Sequence, residues 1–206
     1  MKHEEQEKKA IIECLLGVAY RKEEIKNLKV NDKKIPIWEG EIGELLTGVY
    51  MYQNGVKVEY IEQRVDNKNR ELKALGGKRP DFIHEDQGLL NEGYIETIDS
   101  KHVKLYYKGQ SYFILSDEEL TKYKNLCKHL MTIENAKHVN VVFIVWPKND
   151  LGKVYLVPLE VFEDCNYVIK DEEKKTSRVL VKGNERHPDI AEGELPAPLV
   201  KIMKKW

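Results

Sequence analysis

The sequence predicts a mixed α/β domain, in which helices flank a mixed central sheet. Residues 139–146 are apolar almost without interruption, as is typical of a central strand covered on both faces. The pattern along the chain is helix, helix, strands, one helix and further strands, which is the order of a single mixed domain. A chain of 206 residues is also long enough for one good hydrophobic core.

Three helices are predicted from apolar residues that recur at helical spacing. They span residues 5–28, 38–53 and 117–134. The second ends at Asn54-Gly55, a pair that commonly terminates helices. The third begins with a capping box, because Ser116 precedes Glu119 by three residues. The inner face of the third helix is expected to consist of Leu120, Tyr123, Leu126, Cys127, Leu130 and Met131.

Strands are predicted where apolar and polar residues alternate or where apolar residues run together. They span residues 56–65, 79–84, 93–107, 139–146 and 153–159. The basic, glycine-containing segment 66–79 is expected to be a loop, and 86–93 a turn. Segments 167–170 and 178–182 are expected to form a hairpin around the charged loop 171–177.

This order divides the chain into three parts. An N-terminal helical extension covers 1–36, a core covers 37–160, and a C-terminal extension with the hairpin and a short helix covers 161–206. We expect the C-terminal extension to belong to the same domain as the core.

Composition narrows the classes of function. The chain has 34 basic and 35 acidic residues and a formal net charge of −1, which argues against a bulk electrostatic binder of nucleic acids. It has no apolar run long enough to cross a membrane and no secretory signal pattern at its start, so we expect a cytoplasmic protein. The three cysteines are far apart and match no zinc or redox spacing.

Asp81, Asp99 and Lys101 are the residues best suited to chemistry. Asp81 lies at the start of one predicted strand, and Asp99-Ser100-Lys101 lies within the next. Side chains alternate along a strand, so Asp99 and Lys101 point to the same side. An apolar strand with these charges must meet a charge partner or a cleft, because buried unpaired charge is costly. Two carboxylates can hold a divalent cation, and a nearby lysine can act on its bound water.

This pattern resembles the motif of the PD-(D/E)xK nuclease superfamily, which includes type II restriction endonucleases and Holliday-junction resolvases. The motif is Pro-Asp on one strand, followed on the next by Asp or Glu, any residue and Lys. The matching residues are Pro80, Asp81, Asp99, Ser100 and Lys101. The family core of a helix, a three-strand meander, a helix and a further strand also resembles the predicted order over residues 38–160.

The resemblance implies a magnesium site, with Mn²⁺ able to substitute. Many members carry a further glutamate on the helix before the first strand, and Glu44 stands in the matching place. The implied metal ligands are Asp81, Asp99 and Glu44, and Lys101 would act on the attacking water. Glu41, one helical turn from Glu44, is a competing candidate. Glu96 is another, ranked below Asp99 because it points to the opposite side of a regular strand.

A cluster of basic residues before Asp81 is the expected contact with DNA phosphates. It consists of Lys68, Arg70, Lys73, Lys78 and Arg79. The function implied is a metal-dependent endodeoxyribonuclease, most simply a type II restriction endonuclease or a related defence nuclease acting as a homodimer. The alternatives are a junction resolvase or repair nuclease, and a noncatalytic DNA-binding or regulatory module of the same fold.

Overall fold

The computed structural model describes residues 43–44, 46–51, 54–56, 58–61, 70–84, 94–105, 108–133, 136–195 and 200. Helices in this part of the chain are α1 (helical residues 43–44 and 46–51), α2 (Arg70–Ala74), α3 (Asp117–Ile133) and a 3₁₀ helix (Leu159–Glu163). The strands are β1 (Val58–Tyr60), β2 (Phe82–His84), β3 (Tyr94–Val103), β4 (Tyr112–Ser116), β5 (His138–Pro147), β6 (Lys153–Pro158), β7 (Val168–Asp171), β8 (Thr176–Leu180) and β9 (Ala191–Glu194).

The strands form two sheets, and the predicted mixed α/β class is confirmed. The larger sheet has six strands in the order β1-β2-β3-β5-β6-β9, and the smaller has three in the order β4-β8-β7. Strands β1, β2 and β3 form an antiparallel meander, and β3 then pairs in parallel with β5 along its whole length. The register places Asp99 beside Phe143 and Lys101 beside Val145. Both motif residues therefore lie in the middle of the main sheet.

The two faces of the main sheet have separate hydrophobic cores, because side chains alternate along β3 and β5. One face is covered by α1, whose Leu46 packs with Ile98 and Trp146. The other is covered by α3 and the smaller sheet. Buried residues on that side include Leu115, Tyr123, Leu126, Phe143, Val145, Tyr155 and Val179. Asp99 and Lys101 share the side of Phe143 and Val145, so they face α3.

The second and third predicted helices are confirmed within the described residues as α1 and α3. Asn54 and Gly55 form the turn that ends α1, and Gly55 has the left-handed φ of 72° that such a position requires. The predicted helix 5–28 and the rest of segment 1–36 lie outside the described residues. The prediction that Met131 belongs to the inner face of α3 is wrong, since 42% of the surface of this residue is exposed. It lies about 100° around the helix from Leu130, beyond the buried stripe.

Three predicted strands are shorter than expected. Val56 lies outside β1 because its N–H donates to Met51 O at the end of α1. β2 begins at Phe82 and not at 79, and Asp81 lies in a bend before it. β3 ends at Val103, because the Asn149 side chain bonds both the N–H and the carbonyl of Leu105.

The basic segment 66–79 is not wholly a loop, since Arg70–Ala74 forms the helix α2 with Leu72 buried. Three segments lie outside the described residues: 66–69, the predicted turn 86–93 and the tail 201–206. The predicted C-terminal hairpin is confirmed as β7 and β8, although β8 begins two residues earlier, at Thr176.

Two strands were not predicted. β4 pairs with β8 to build the smaller sheet, and β9 pairs with β6 at the edge of the larger one. Residues beyond 160 therefore complete both sheets. In the described part of the chain, no helix is both long enough and apolar enough to span a membrane.

Candidate active site

Asp99 and Lys101 form an ion pair at the centre of the site. Their side chains project from β3 towards α3, and Lys101 Nζ lies 2.9 Å from Asp99 Oδ2. Asp99 is only 1% exposed, and it is the most deeply buried charged residue of the described chain. A carboxylate at this depth is stable only when it has partners of opposite charge or hydrogen-bond donors.

Asp81 is brought next to this pair by the antiparallel pairing of β2 and β3. Its N–H donates to Ile98 O at 3.0 Å, and its Oδ2 accepts the Ser100 N–H at 2.7 Å. Burial, the charge of Asp99 and the charge of Glu44 raise the pKa of Asp81 to about 7. The two motif carboxylates thus repel each other in a buried position, which is the electrostatic condition that a bound cation relieves.

Tyr123 of α3 is a site residue whose role the sequence did not reveal. Its hydroxyl donates to Asp99 Oδ2 at 2.7 Å. Burial and the neighbouring Asp99 raise the pKa of Tyr123, so it stays a neutral donor. The available signal was its position on the inner face of α3, because a buried tyrosine hydroxyl usually has a hydrogen-bond partner.

Lys78 is a second lysine of the site. Its Nζ donates to the Tyr123 hydroxyl at 2.7 Å and lies 3.2 Å from Asp99 Oδ1. Burial lowers the pKa of Lys78, against the opposing effect of Asp99. The sequence assigned Lys78 to DNA phosphates, whereas the structure places it against the buried carboxylate of the motif.

Glu119 holds Lys101 from the start of α3. Lys101 Nζ lies 3.4 Å from Glu119 Oε1, and the Glu119 N–H donates to Ser116 Oγ at 3.1 Å. The predicted N-cap is therefore present, and it also fixes the residue that contacts Lys101. Burial acts to lower the pKa of Lys101, but Asp99 and Glu119 raise it overall, so the lysine carries its charge.

Glu44 approaches the site from the other face of the sheet. It acts on Asp81 through its charge. The position of α1 is set by close packing on β3: a Cβ added at Gly43 would lie 2.8 Å from Ser100 Oγ, and Thr47 Oγ1 donates to that oxygen at 2.9 Å. Gly43 therefore allows the helix that carries Glu44 to lie directly on the motif strand.

The other candidates have different surroundings. Glu96 Oε1 lies 3.9 Å from His84 Nδ1, so Glu96 faces β2 and not the Asp99 cluster. Glu41 lies outside the described residues. Of the basic cluster, Lys73 is exposed and Arg79 is half-buried, while Lys68 and the side chain of Arg70 lie outside the description.

The residues present fit a hard divalent cation. Among the residues that the structure describes, no group of three or more His, Cys, Asp or Glu side chains is arranged to hold a metal ion. Mg²⁺, however, needs only one or two carboxylates because it keeps most of its waters. Asp99 Oδ1 is buried and accepts no hydrogen bond, although the Lys78 ammonium lies nearby. Asp81 and this oxygen are the groups that would hold the cation.

No protein-family model matches this chain, and no curated protein is significantly similar to it in sequence.

The raised pKa of Asp81 predicts a pH-dependent cost to stability in metal-free protein. In the folded protein the pKa of Asp81 is about 7, which is above the ordinary value of an aspartate. The protonated Asp81 carboxyl therefore contributes stability in full below about pH 4, and this contribution is lost as the pH rises through 7. At pH 8 we expect the free energy of unfolding of the Asp81→Asn variant to be roughly 1–3 kcal/mol larger than that of the wild type. The gain should vanish near pH 4.

Urea denaturation with a chelator, at both pH values, measures this difference. Asp150→Asn is the matched control, because Asp150 forms an exposed ion pair with Lys182. It should change stability by less than about 1 kcal/mol at either pH. An Asp81→Asn variant less stable than wild type at pH 8 would contradict the electrostatic account.

Proposed function

We propose that this protein is a metal-dependent nuclease that hydrolyses DNA phosphodiester bonds through Asp81, Asp99 and Lys101. The observation that supports it most strongly is the burial of Asp99 beside a second carboxylate, with an ammonium 2.9 Å away. Groups placed in such costly electrostatic positions are often functional. The β1-β2-β3 meander followed by α3 and β5 also follows the order of elements that the motif resemblance implies.

Each residue has a role that its surroundings support. Asp81 and Asp99 would hold Mg²⁺, with Glu44 as a further acidic group whose charge acts on Asp81. When bound, the cation stabilises charge on the phosphate and lowers the pKa of a coordinated water. Lys101 remains charged and orients the attacking water or stabilises the negative charge that develops on the phosphate.

The remaining contacts orient these groups. Tyr123 donates to Asp99, and the Ser100 N–H donates to Asp81, so a hydrogen bond from the protein orients each carboxylate. Glu119 limits the positions that Lys101 can take. An arrangement held by backbone and side-chain hydrogen bonds keeps the reacting groups in place before substrate arrives.

Within this class we favour a type II restriction endonuclease or a related defence nuclease, working as a homodimer. The reason is by analogy, since the N-terminal and C-terminal extensions exceed a minimal nuclease core. In the described part, the C-terminal extension adds β7, β8 and β9 to the two sheets.

The first test compares two lysine variants in a plasmid-cleavage assay with Mg²⁺. Lys101→Met should lower the initial rate by about 10²–10⁴-fold, because it removes the ammonium that acts on water and phosphate. Lys153→Met is the matched control, since Lys153 pairs with Glu192 and Glu194 between β6 and β9. It should cut within about twofold of the wild-type rate.

The substrate separates the classes. Discrete fragments from linear phage DNA indicate a sequence-specific endonuclease, whereas cleavage confined to branched DNA indicates a resolvase. Wild-type protein that cuts no linear, plasmid or branched DNA with Mg²⁺ or Mn²⁺ would overturn the proposal and favour the noncatalytic module.

A further inference from the structure

The position of Lys78 is set by the way α2 ends. The Gly76 N–H donates to Lys73 O at 3.0 Å and the Gly77 N–H donates to Leu72 O at 2.9 Å. Gly76 has a φ of 68°, so these bonds form a Schellman motif. A Cβ at Gly77 would collide with Leu72. The chain therefore turns sharply just before Lys78.

This turn is attached to α3, the helix that carries Tyr123. Asn125 Nδ2 donates to Leu75 O at 2.9 Å, and the Lys78 N–H donates to Lys122 O at 3.3 Å. The backbone of Lys78 is thus held against α3 by bonds that do not involve its ammonium. The contact of the ammonium with Asp99 follows from this placement.

The two lysines on Asp99 differ in what surrounds them. Lys101 is 14% exposed and is held by both Asp99 and Glu119. Lys78 is 33% exposed, and its ammonium lies 3.2 Å from Asp99 Oδ1, the buried oxygen that accepts no hydrogen bond. Lys78 also donates to the Tyr123 hydroxyl and to Asp99 Oδ2, at 2.7 and 3.4 Å, but it pairs with one carboxylate where Lys101 pairs with two. Lys78 is therefore the cation that can leave Asp99 for solvent or for a ligand with the loss of fewer ion pairs.

We propose that Lys78 is an internal counter-ion that neutralises Asp99 in the metal-free protein, gives way to the divalent cation, and then binds a phosphate of the DNA substrate. This inference rests on the proposed nuclease function. Lys101 lies 2.9 Å from Asp99 Oδ2, whereas the Lys78 ammonium lies 3.2 Å from Oδ1, the oxygen that would hold the metal ion. A divalent cation at Oδ1 would repel the adjacent Lys78 ammonium more strongly than the single charge of Lys101 does. Once released, a flexible, partly exposed lysine suits a phosphate contact.

The direct test is metal affinity in the absence of DNA. Mn²⁺ is titrated calorimetrically into wild type, Lys78→Met and the control Lys122→Met, whose lysine pairs with Glu118 on the exposed side of α3. Lys78→Met should bind Mn²⁺ about 3–10-fold more tightly, because the competing ammonium is gone. The control should match the wild type.

Lys78→Gln provides a second variant in case the apolar side chain disturbs folding, since its amide can still donate to the Tyr123 hydroxyl. It should also bind Mn²⁺ more tightly. Asp99→Asn should abolish Mn²⁺ binding when it is combined with either Lys78→Met or Lys78→Gln. Folded variants that bind Mn²⁺ no more tightly than wild type would overturn the counter-ion role and leave the proposed nuclease function standing.

The kinetic test separates substrate binding from chemistry. Lys78→Met should raise KM for DNA about tenfold or more and change kcat by less than about threefold, as expected for a phosphate contact made before and during reaction. Lys78→Arg keeps the positive charge, so its KM for DNA should be close to the wild-type value. Loss of kcat with unchanged KM would contradict a phosphate contact, and absence of Mn²⁺ binding in wild type and both variants would overturn this inference together with the proposed function.

Discussion

Replacing Asp99 by asparagine is expected to reduce the rate of Mg²⁺-dependent DNA cleavage by at least about 10³-fold. The substitution keeps the size of the side chain and an oxygen that accepts from the Tyr123 hydroxyl. It removes the negative charge that would hold the cation. The expected loss is therefore in kcat, and raising the Mg²⁺ concentration should restore little of it.

The same substitution has a structural consequence that must be measured beside activity. Lys78 and Lys101 both lie on Asp99, and Asn leaves the two ammonium groups without their shared counter-charge. Breaking a buried ion pair in this way costs about 3–5 kcal/mol of unfolding free energy. Circular dichroism and urea denaturation show whether the variant is folded under assay conditions.

Asp150→Asn is a matched control for the Asp99 assay, because it removes an exposed carboxylate paired with Lys182. It should cleave at the wild-type rate. A folded Asp99→Asn variant that keeps more than about a tenth of the wild-type activity would show that the reaction does not depend on this carboxylate.

The central part of the site follows from strand geometry and was predictable. Side chains two residues apart share a face of a strand, which is why Asp99 and Lys101 meet. The link to Asp81 needed the register of β2 on β3, in which the Asp81 N–H bonds Ile98 O. The motif spacing indicated that the two strands were neighbours, but it carried no information about that register.

Lys78 and Tyr123 could not be joined to the site from sequence, for a physical reason. Their contact depends on how far α3 rotates on the sheet and on how the turn after α2 attaches to α3. Both depend on contacts between segments distant in the chain. The basic character of the 66–79 segment was plain in the sequence, but the partner of each lysine was not.

The unpredicted strands illustrate the same limit. β9 has the sequence Ala-Glu-Gly-Glu, which has no apolar alternation, and it is a strand because β6 offers it a pairing edge. β4 does alternate, with Phe113 and Leu115 buried, but its short length gave no strong signal. Tertiary pairing overrides weak local preference in both cases.

The largest effect on stability is expected at Trp146, which joins the main sheet to α1. Trp146 is 1% exposed, and its ring packs edge-on against the ring of Tyr50, with 5.8 Å between the ring centroids. Its Nε1 donates to Thr47 Oγ1 at 2.9 Å, and Thr47 in turn donates to Ser100, which lies between Asp99 and Lys101. The indole therefore packs and orients the helix that carries Glu44.

Trp146→Ala is expected to lower the free energy of unfolding by about 3–5 kcal/mol, because it leaves a cavity between β5 and α1. Trp146→Phe keeps an aromatic ring but loses the donor to Thr47, so we expect a loss of only about 1–2 kcal/mol. Urea denaturation followed by circular dichroism measures both, with Ile114→Ala as a control at a position that is 39% exposed on the smaller sheet. The control should cost less than about 1 kcal/mol. Equal losses for Ala and Phe would mean that the hydrogen bond to Thr47, and not the packing of the ring, holds α1 on the sheet.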